Sequence, residues 1–390
     1  PGPLLRYRQG DTVRVRLENQ LPDPTSIHWH GVAIDNRMDG VVGLTQAAVG
    51  PGERFDYEFT LPDPGTFWYH THNQSWEQVA RGLYGVLVVD ERDAPMVDQD
   101  LLFVIDDWRL RQDGQIDTDS FGNMHDWAHA GRLGNWLTVN GADRPQISVR
   151  SGERIRLRLV NTANARIFRV DLRSPDHAAS MIAIDGFPLV SPQELREAID
   201  LAPGQRVDVI LDMTGDPGGR VAIRETSTGQ PVDCAHFVYD KTTGKKPRTN
   251  RRIAALPTWE NHTAVDISAA REIDLHMTGG AMGMMSGAMH GGRMMPMGDL
   301  VDAGKVWAFN GVAGDLDKPL ASLRRNDHVL INIMNDTRWP HAMHLHGHHF
   351  QVVRRDGTPV PGAPWRDTEL VRPMEKVTLC LLYTSDAADD

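Results

Sequence analysis

The chain has 390 residues, with 52 acidic and 41 basic side chains for a formal net charge of −11, and it contains two cysteines. That length accommodates two or three domains. The acidic balance argues against nucleic acid as a partner, two cysteines exclude a disulfide framework, and no apolar run approaches the roughly 18 residues of a membrane-spanning helix.

The sequence opens abruptly with PGPLLRYRQGDTVRV, which reads as the interior of a domain rather than a secretory signal. An N-terminal truncation is therefore expected, and the missing signal says nothing about compartment. TVRVRLEN and RFDYEFTL alternate apolar and polar residues between Gly, Pro, Asp and Asn, as half-buried strands do. Between and after them come SIHWHG (26–31), NRMDGVVGLTQ and FWYHTH (67–72). HDWAH carries His125 and His129 four apart, a spacing that faces together only in a helix; with no third ligand near, a polar loop is expected. RIRLRLVN and RVDVILDM repeat the strand pattern, while SPQELREAI is too weak to count as a helical layer. Cys234, in PVDCAHFVYD, reads as a buried thiol in a strand. KTTGKKPRTNRR (241–252) reads as a basic interdomain linker. These short alternating runs predict an all-β sandwich class.

The segment from His276 to Asp299, HMTGGAMGMMSGAMHGGRMMPMGD, holds Met277, Met282, Met284, Met285, Met289, Met294, Met295 and Met297, eight of the sixteen methionines. Recurrent Gly breaks any helical apolar stripe, and thioethers are soft ligands that favour Cu(I). A flexible low-complexity loop without metal is the other reading. After the strand-like NDHVLINIMN comes HAMHLHGHHF (341–350), with five histidines in ten positions. The chain closes on EKVTLCLLYTSDAADD, whose end lacks histidine and strand alternation and reads as a foreign tail from about residue 380.

His-X-His occurs three times, at His28/His30, His70/His72 and His344/His346. In a strand, residues i and i+2 share a face roughly 6.5 to 7 Å apart. One metal is then hard for both rings to reach, and each pair more naturally serves two neighbouring ions. A single pair could be ordinary strand surface; three pairs of imidazoles, which suit copper, zinc, iron and nickel, point to a polynuclear transition-metal cluster.

Long-range repeats organise these motifs. GDTVRVRLEN (10–19), GERIRLRLVN (152–161) and NDHVLINIMN (326–335) share a polar turn, an alternating strand and a closing Asn, which predicts three β-domains. His28 follows Asn19 by nine residues and His344 follows Asn335 by nine; the same offset from Asn161 lands on Val170. A proline-led turn recurs at Pro51, Pro203 and Pro373. His70 follows Pro51 by nineteen residues, whereas the same offset gives Ala222 in the second repeat and runs past the end of the sequence in the third. The middle repeat thus keeps the strands without the ligands.

HWHG, HTH and HxxHxHGHxF across three such repeats resemble the multicopper oxidases, over nearly all of the chain and most closely the bacterial three-domain type that includes laccase-like enzymes and copper-efflux oxidases. The resemblance implies three consecutive cupredoxin-like Greek-key β-sandwich domains, the first and third incomplete. Their expected bounds are 1–92, 93–245 and 300–390, with a linker and start of domain three over 246–275 and the Met-rich insertion over 276–299. It implies four coppers: type 2 held by His28 and His344, the type 3 pair by His30, His70, His72 and His346, and type 1 by His341. Its fourth block, HCHxxxHxxxM, has no match here, so Cys380 is not carried over as the type 1 cysteine, and the chain as written is expected to lack electron entry.

By the same resemblance, a reductant gives single electrons at type 1 and O2 is reduced to water at the trinuclear centre. Cu(I) or a small phenolic molecule is the reductant, with no nucleic acid or membrane partner and a monomeric, periplasmic or secreted protein. Asp39 resembles the family's acidic residue near the cluster and could relay protons; its other reading is a turn aspartate before Gly40. His348 and His349 match no ligand position. A non-catalytic copper-sequestering protein is the alternative function.

Overall fold

The computed structural model describes residues 1–242, 252–259, 265–314 and 318–384. The basic linker expected at 241–252 lies almost wholly outside them. The chain forms two compact units, one of residues 1–117 and 134–261, the other of residues 118–133 and 262–390. It is all-β with cupredoxin-like sandwiches, and among the described residues no helix is long and apolar enough to cross a membrane.

The alternating runs fold where their pattern places them. In the first unit Thr12–Glu18 pairs antiparallel with Arg54–Thr60, while Leu5–Arg8, Tyr84–Asp90, Gly65–His70 and His28–His30 make a four-stranded sheet. Arg154–Asn161 lies inside a six-stranded sheet, flanked by Arg206–Met213 and Gln99–Trp108. This sheet faces a five-stranded one across a core that includes Phe103, Leu157, Phe168, Val209 and Phe237. SPQELREAI is not helical: Phe187–Glu194 and Ile199–Leu201 are strands. Cys234 is buried in Val232–Tyr239, and burial pushes its thiol up to about 12.

In the second unit His328–Asn335 is flanked by Arg271–Gly279 and Lys376–Leu382 in a seven-stranded sheet. The expected loss of strand alternation after EKVTL is corrected. Cys380 pairs with Leu330, Leu381 joins the core, and Tyr383 packs against it, because CLL supplies three apolar residues to a strand buried on both faces. Residues 385–390 lie outside the described residues.

The three closing asparagines have one job. Asn19, Asn161 and Asn335 are buried, and each side-chain amide donates to backbone carbonyls, those of Val49, Leu201 and Val371 among them. Each side-chain oxygen accepts from the backbone two residues on. Their own N–H groups donate to Glu53, Gln205 and Glu375, and their carbonyls accept from Gly52, Gly204 and Met374 in the proline-led turns. A buried amide that satisfies all its partners fixes the strand exit to the turn. The segments that carry histidine nine residues later therefore leave the core from the same point.

Candidate metal centre

In the first unit, HWH is a three-residue strand with alternating faces. Trp29 is fully buried against Tyr57 and Phe59, while His28 and His30 face the other way. His28 pairs with His70 and His30 with Trp68 in the adjoining strand. The four rings gather closely: centroids lie 5.6 Å apart for His28–His30, 5.2 Å for His28–His70, 5.6 Å for His28–His72 and 5.7 Å for His30–His70. Trp68 stacks on His70 at 4.2 Å and holds its plane.

Hydrogen bonds fix which nitrogen each ring presents. His28 Nδ1 lies 2.8 Å from the Asp39 carbonyl and His70 Nδ1 lies 2.9 Å from that of Thr71. A carbonyl only accepts, so Nδ1 carries the proton and Nε2 keeps the lone pair in the neutral ring. Gly40 makes the first contact possible. At φ +83° a Cβ there would sit 1.9 Å from the Ile27 carbonyl, so only glycine lets this turn approach the His28 backbone. Asp39 is both a turn residue and a neighbour of the cluster: it caps the short 3-10 helix Asn36–Met38, is buried, and brings Oδ1 to 3.1 Å from His28 Nδ1.

The second unit repeats the device. His344 Nδ1 lies 2.8 Å from the Asp367 carbonyl, with the fully buried Asp367 carboxylate at 3.6 Å. Sequence reasoning missed Asp367. It lies 23 residues after His344 where Asp39 lies 11 after His28, so no constant offset exposes it. His344 ends the strand His341–His344 and His346 sits in the following turn, which brings their ring centroids to 4.9 Å. His348 stacks on Tyr383, and its Nδ1 lies 3.2 Å from the His346 carbonyl.

His341 is held differently. Thr337 Oγ1 accepts from Trp339 N and lies 2.7 Å from Asn335 Oδ1, 2.9 Å from the Trp339 carbonyl and 3.0 Å from His341 Nε2. Thr337 thus engages Nε2, and Nδ1 is the ring nitrogen on the side away from it. Trp307 meets the ring edge-on at 4.7 Å, and a cavity of about 500 Å³ lined by Met277, Trp307, His341 and Met343 adjoins it. Burial pushes its pKa down to about 4, so the ring is neutral near pH 7 and needs no proton release to bind a metal. Imidazoles whose Nδ1 is held by a backbone carbonyl and whose Nε2 carries the lone pair are a donor set that fits copper.

The Met-rich segment is ordered rather than a featureless loop. Gly287–His290 and Arg293–Pro296 form a hairpin, followed by the helix Met297–Asp302. Its methionines divide by burial. Met277 belongs to the sheet core, and Met285 and Met295 pack against Ala288 and Leu300. Met282, Met284 and Met294 are 69%, 92% and 69% exposed. The segment around His125 and His129 is corrected from a loop to the short helix Met124–Ala128, capped by the Asn123 side chain.

Three family models described as multicopper oxidase match residues 1–94, 100–242 and 291–388. The multicopper oxidase MmcO of Mycobacterium tuberculosis is 30% identical over 98% of this chain and 76% of its own length. The chain belongs to the multicopper oxidases. These are copper-dependent oxidoreductases that use O2, and copper is the cofactor the family implies. Copper resistance protein A of Pseudomonas syringae pv. tomato is 31% identical over 60% of this chain, which spans 47% of that relative. Among solved structures, a multi-copper oxidase from Pseudomonas Thermotolerans superposes with a TM-score of 0.81 at 29% identity, covering 99% of this chain and 85% of the other. Lac15 from a marine microbial metagenome gives 0.75 at 36% identity over 98% of this chain and 86% of its own.

Proposed function

We propose that this multicopper oxidase couples one-electron oxidation of Cu(I) to the four-electron reduction of O2 to water, in copper tolerance outside the cytoplasm. As the family's motifs imply, His28, His30, His70, His72, His344 and His346 are the ligands of the oxygen-reducing centre, and His341 is the electron-entry ligand. The domain boundaries near residues 92 and 245 belong to the same proposal. The observation that carries it is the shared fixing of His28, His70 and His344 through Nδ1 to a carbonyl, which leaves Nε2 as the donor atom in each. Copper, when bound, supplies single-electron transfer from the reductant and the redox equivalents that O2 takes up.

The remaining work falls to this chain's own groups. Asp39, buried beside His28 Nδ1, is a carboxyl that takes up protons and passes them on where O2 reduction consumes them. Thr337 orients His341, and Trp307 covers its edge. The exposed thioethers of Met282, Met284 and Met294 favour a soft cation over a phenol as the reductant. Those same methionines support the second reading, a protein that holds copper without turnover.

An oxygen electrode separates the two. With Cu(I) as sole reductant, a copper-loaded protein that includes the family's HCHxxxHxxxM block is expected to consume O2, the 390 residues alone are not, and His70→Ala is expected to abolish uptake. Met282→Leu with Met284→Leu should slow Cu(I) oxidation about tenfold while phenol oxidation is unchanged. Equal Cu(I) rates in that variant would remove Cu(I) entry through the methionines. Copper retained without any O2 uptake would establish sequestration instead.

A further inference from the structure

We propose that His125 and His129 form a two-imidazole docking site for a Cu(II) ion, distinct from the histidines described above. His125 lies in the helix Met124–Ala128 and His129 is its C-cap residue, four positions on. Their rings stack with centroids 4.0 Å apart and planes 15° from parallel. Stacked rings aim their in-plane lone pairs in parallel, so the pair binds one ion by splaying apart, which the i, i+4 spacing allows. His129 Nδ1 lies 2.7 Å from the His125 carbonyl and donates to it, so Nε2 is its lone-pair nitrogen. His125 is exposed and His129 half-buried, which leaves the pair open to an ion from solvent. Among divalent first-row cations, imidazole donors bind Cu(II) most tightly.

The surroundings hold this helix in place. Trp307 Nε1 donates to the Trp127 carbonyl at 2.9 Å, and Ala281 N donates to the Ala128 carbonyl at 2.6 Å. Ala281 in turn accepts from Trp339 Nε1 at 3.2 Å, and Trp339 meets the His129 ring edge-on at 5.3 Å. Ala281 is thereby tied to the end of this helix, and the next residue, Met282, has a side chain 69% exposed. Trp339 also bonds through its N–H and carbonyl to Thr337 Oγ1, the group that orients His341. A copper ion docked at the pair is thus connected through Trp339 and Thr337 to the electron-entry histidine. Binding at the pair does not depend on turnover.

The protein with its resident coppers in place is titrated with Cu(II), followed by calorimetry and by electron paramagnetic resonance. One additional equivalent with nitrogen hyperfine structure is expected. His125→Ala and His129→Ala should each weaken it by at least about tenfold, while His276→Ala, which changes an exposed histidine elsewhere, should leave it intact. Circular dichroism checks that the variants fold, and His125 is exposed enough for its replacement to be tolerated. No additional equivalent in the wild type, its survival in either pair variant, or its equal loss in His276→Ala would each overturn the site. An additional equivalent that persists when no O2 is consumed with Cu(I) would keep the docking site and sink only the oxidase reading.

Discussion

The strands Thr12–Glu18 and Arg154–Asn161 are written in nearly the same letters, TVRVRLE and RIRLRLVN, yet one is half-exposed and the other wholly buried. Arg14 and Arg16 in the first correspond to Arg156 and Arg158 in the second. Arg14 and Arg16 have side chains 75% and 55% exposed and pair with Glu58 and Asp56 across a two-stranded ladder. Arg156 and Arg158 are 2% exposed. Arg156 lies 2.6 Å from Asp208 and 2.7 Å from Glu91, and Arg158 lies 2.7 Å from Asp100 and 2.8 Å from Thr66. Burial disfavours the Arg156 charge, and Asp208 and Glu91 more than offset that, so its pKa is raised. Alternation specifies a strand and its faces; what covers each face is decided by the neighbours, which here means a central place in a six-stranded sheet.

The largest expected effect tests that contrast directly. Arg156→Ala strands the Asp208 and Glu91 carboxylates in the interior, and breaking a buried pair from one side costs about 3 to 5 kcal/mol. Urea denaturation should show this as a lower midpoint with an unchanged slope. Arg14→Ala, its sequence counterpart, should leave the midpoint where it was, because exposed ion pairs contribute little. Equal midpoints for the two variants would break the comparison.

Burial beside a phenol instead of a guanidinium sharpens it. Asp106 is buried with Tyr84, whose hydroxyl donates to Oδ2 at 2.5 Å, and burial is the main reason its pKa is raised to about 7. The folded state therefore favours the protonated carboxyl. Its contribution is fully present below the unfolded value near 4 and is lost as pH rises through about 7. Asp106→Asn, which cannot ionise, should remove a decline of about 2 to 4 kcal/mol across that window. Thermal melting of both proteins from pH 4 to 8 measures it, and parallel curves would show that Asp106 ionises freely in the fold.

How much was legible in the sequence follows the same division. The strands, the three repeats and the histidine motifs were legible because each depends on spacing within a few residues. Val170 and Ala222, which stand at the same offsets in the middle repeat, lie in the strands Phe168–Asp171 and Arg220–Glu225. Asp367 was not legible, because its approach to His344 is set by the pairing of His341–His344 with Thr368–Val371 and not by an offset. The strand through Cys380, the stacking of His125 on His129, and the split of the methionines into packed and exposed groups were also hidden. Each depends on which surface another segment covers.

The smallest expected effect comes from the position after the proline, where the third turn departs from the other two. Gly52 and Gly204 take φ of +78° and +82°, and Met374 takes +64° in the equivalent position. All three donate their N–H to the closing Asn carbonyl, so the backbone is held in the left-handed region whatever the side chain. A Cβ in that region costs about 1 to 2 kcal/mol, whereas glycine adopts it freely at the expense of a more flexible unfolded chain. Met374 is half-exposed, so little packing is lost on its removal. Met374→Gly should therefore stabilise the protein by about 0.5 to 1 kcal/mol, read as a rise in the denaturation midpoint. A fall would mean that the Met374 side chain does work in its turn that the glycines of the first two repeats do without.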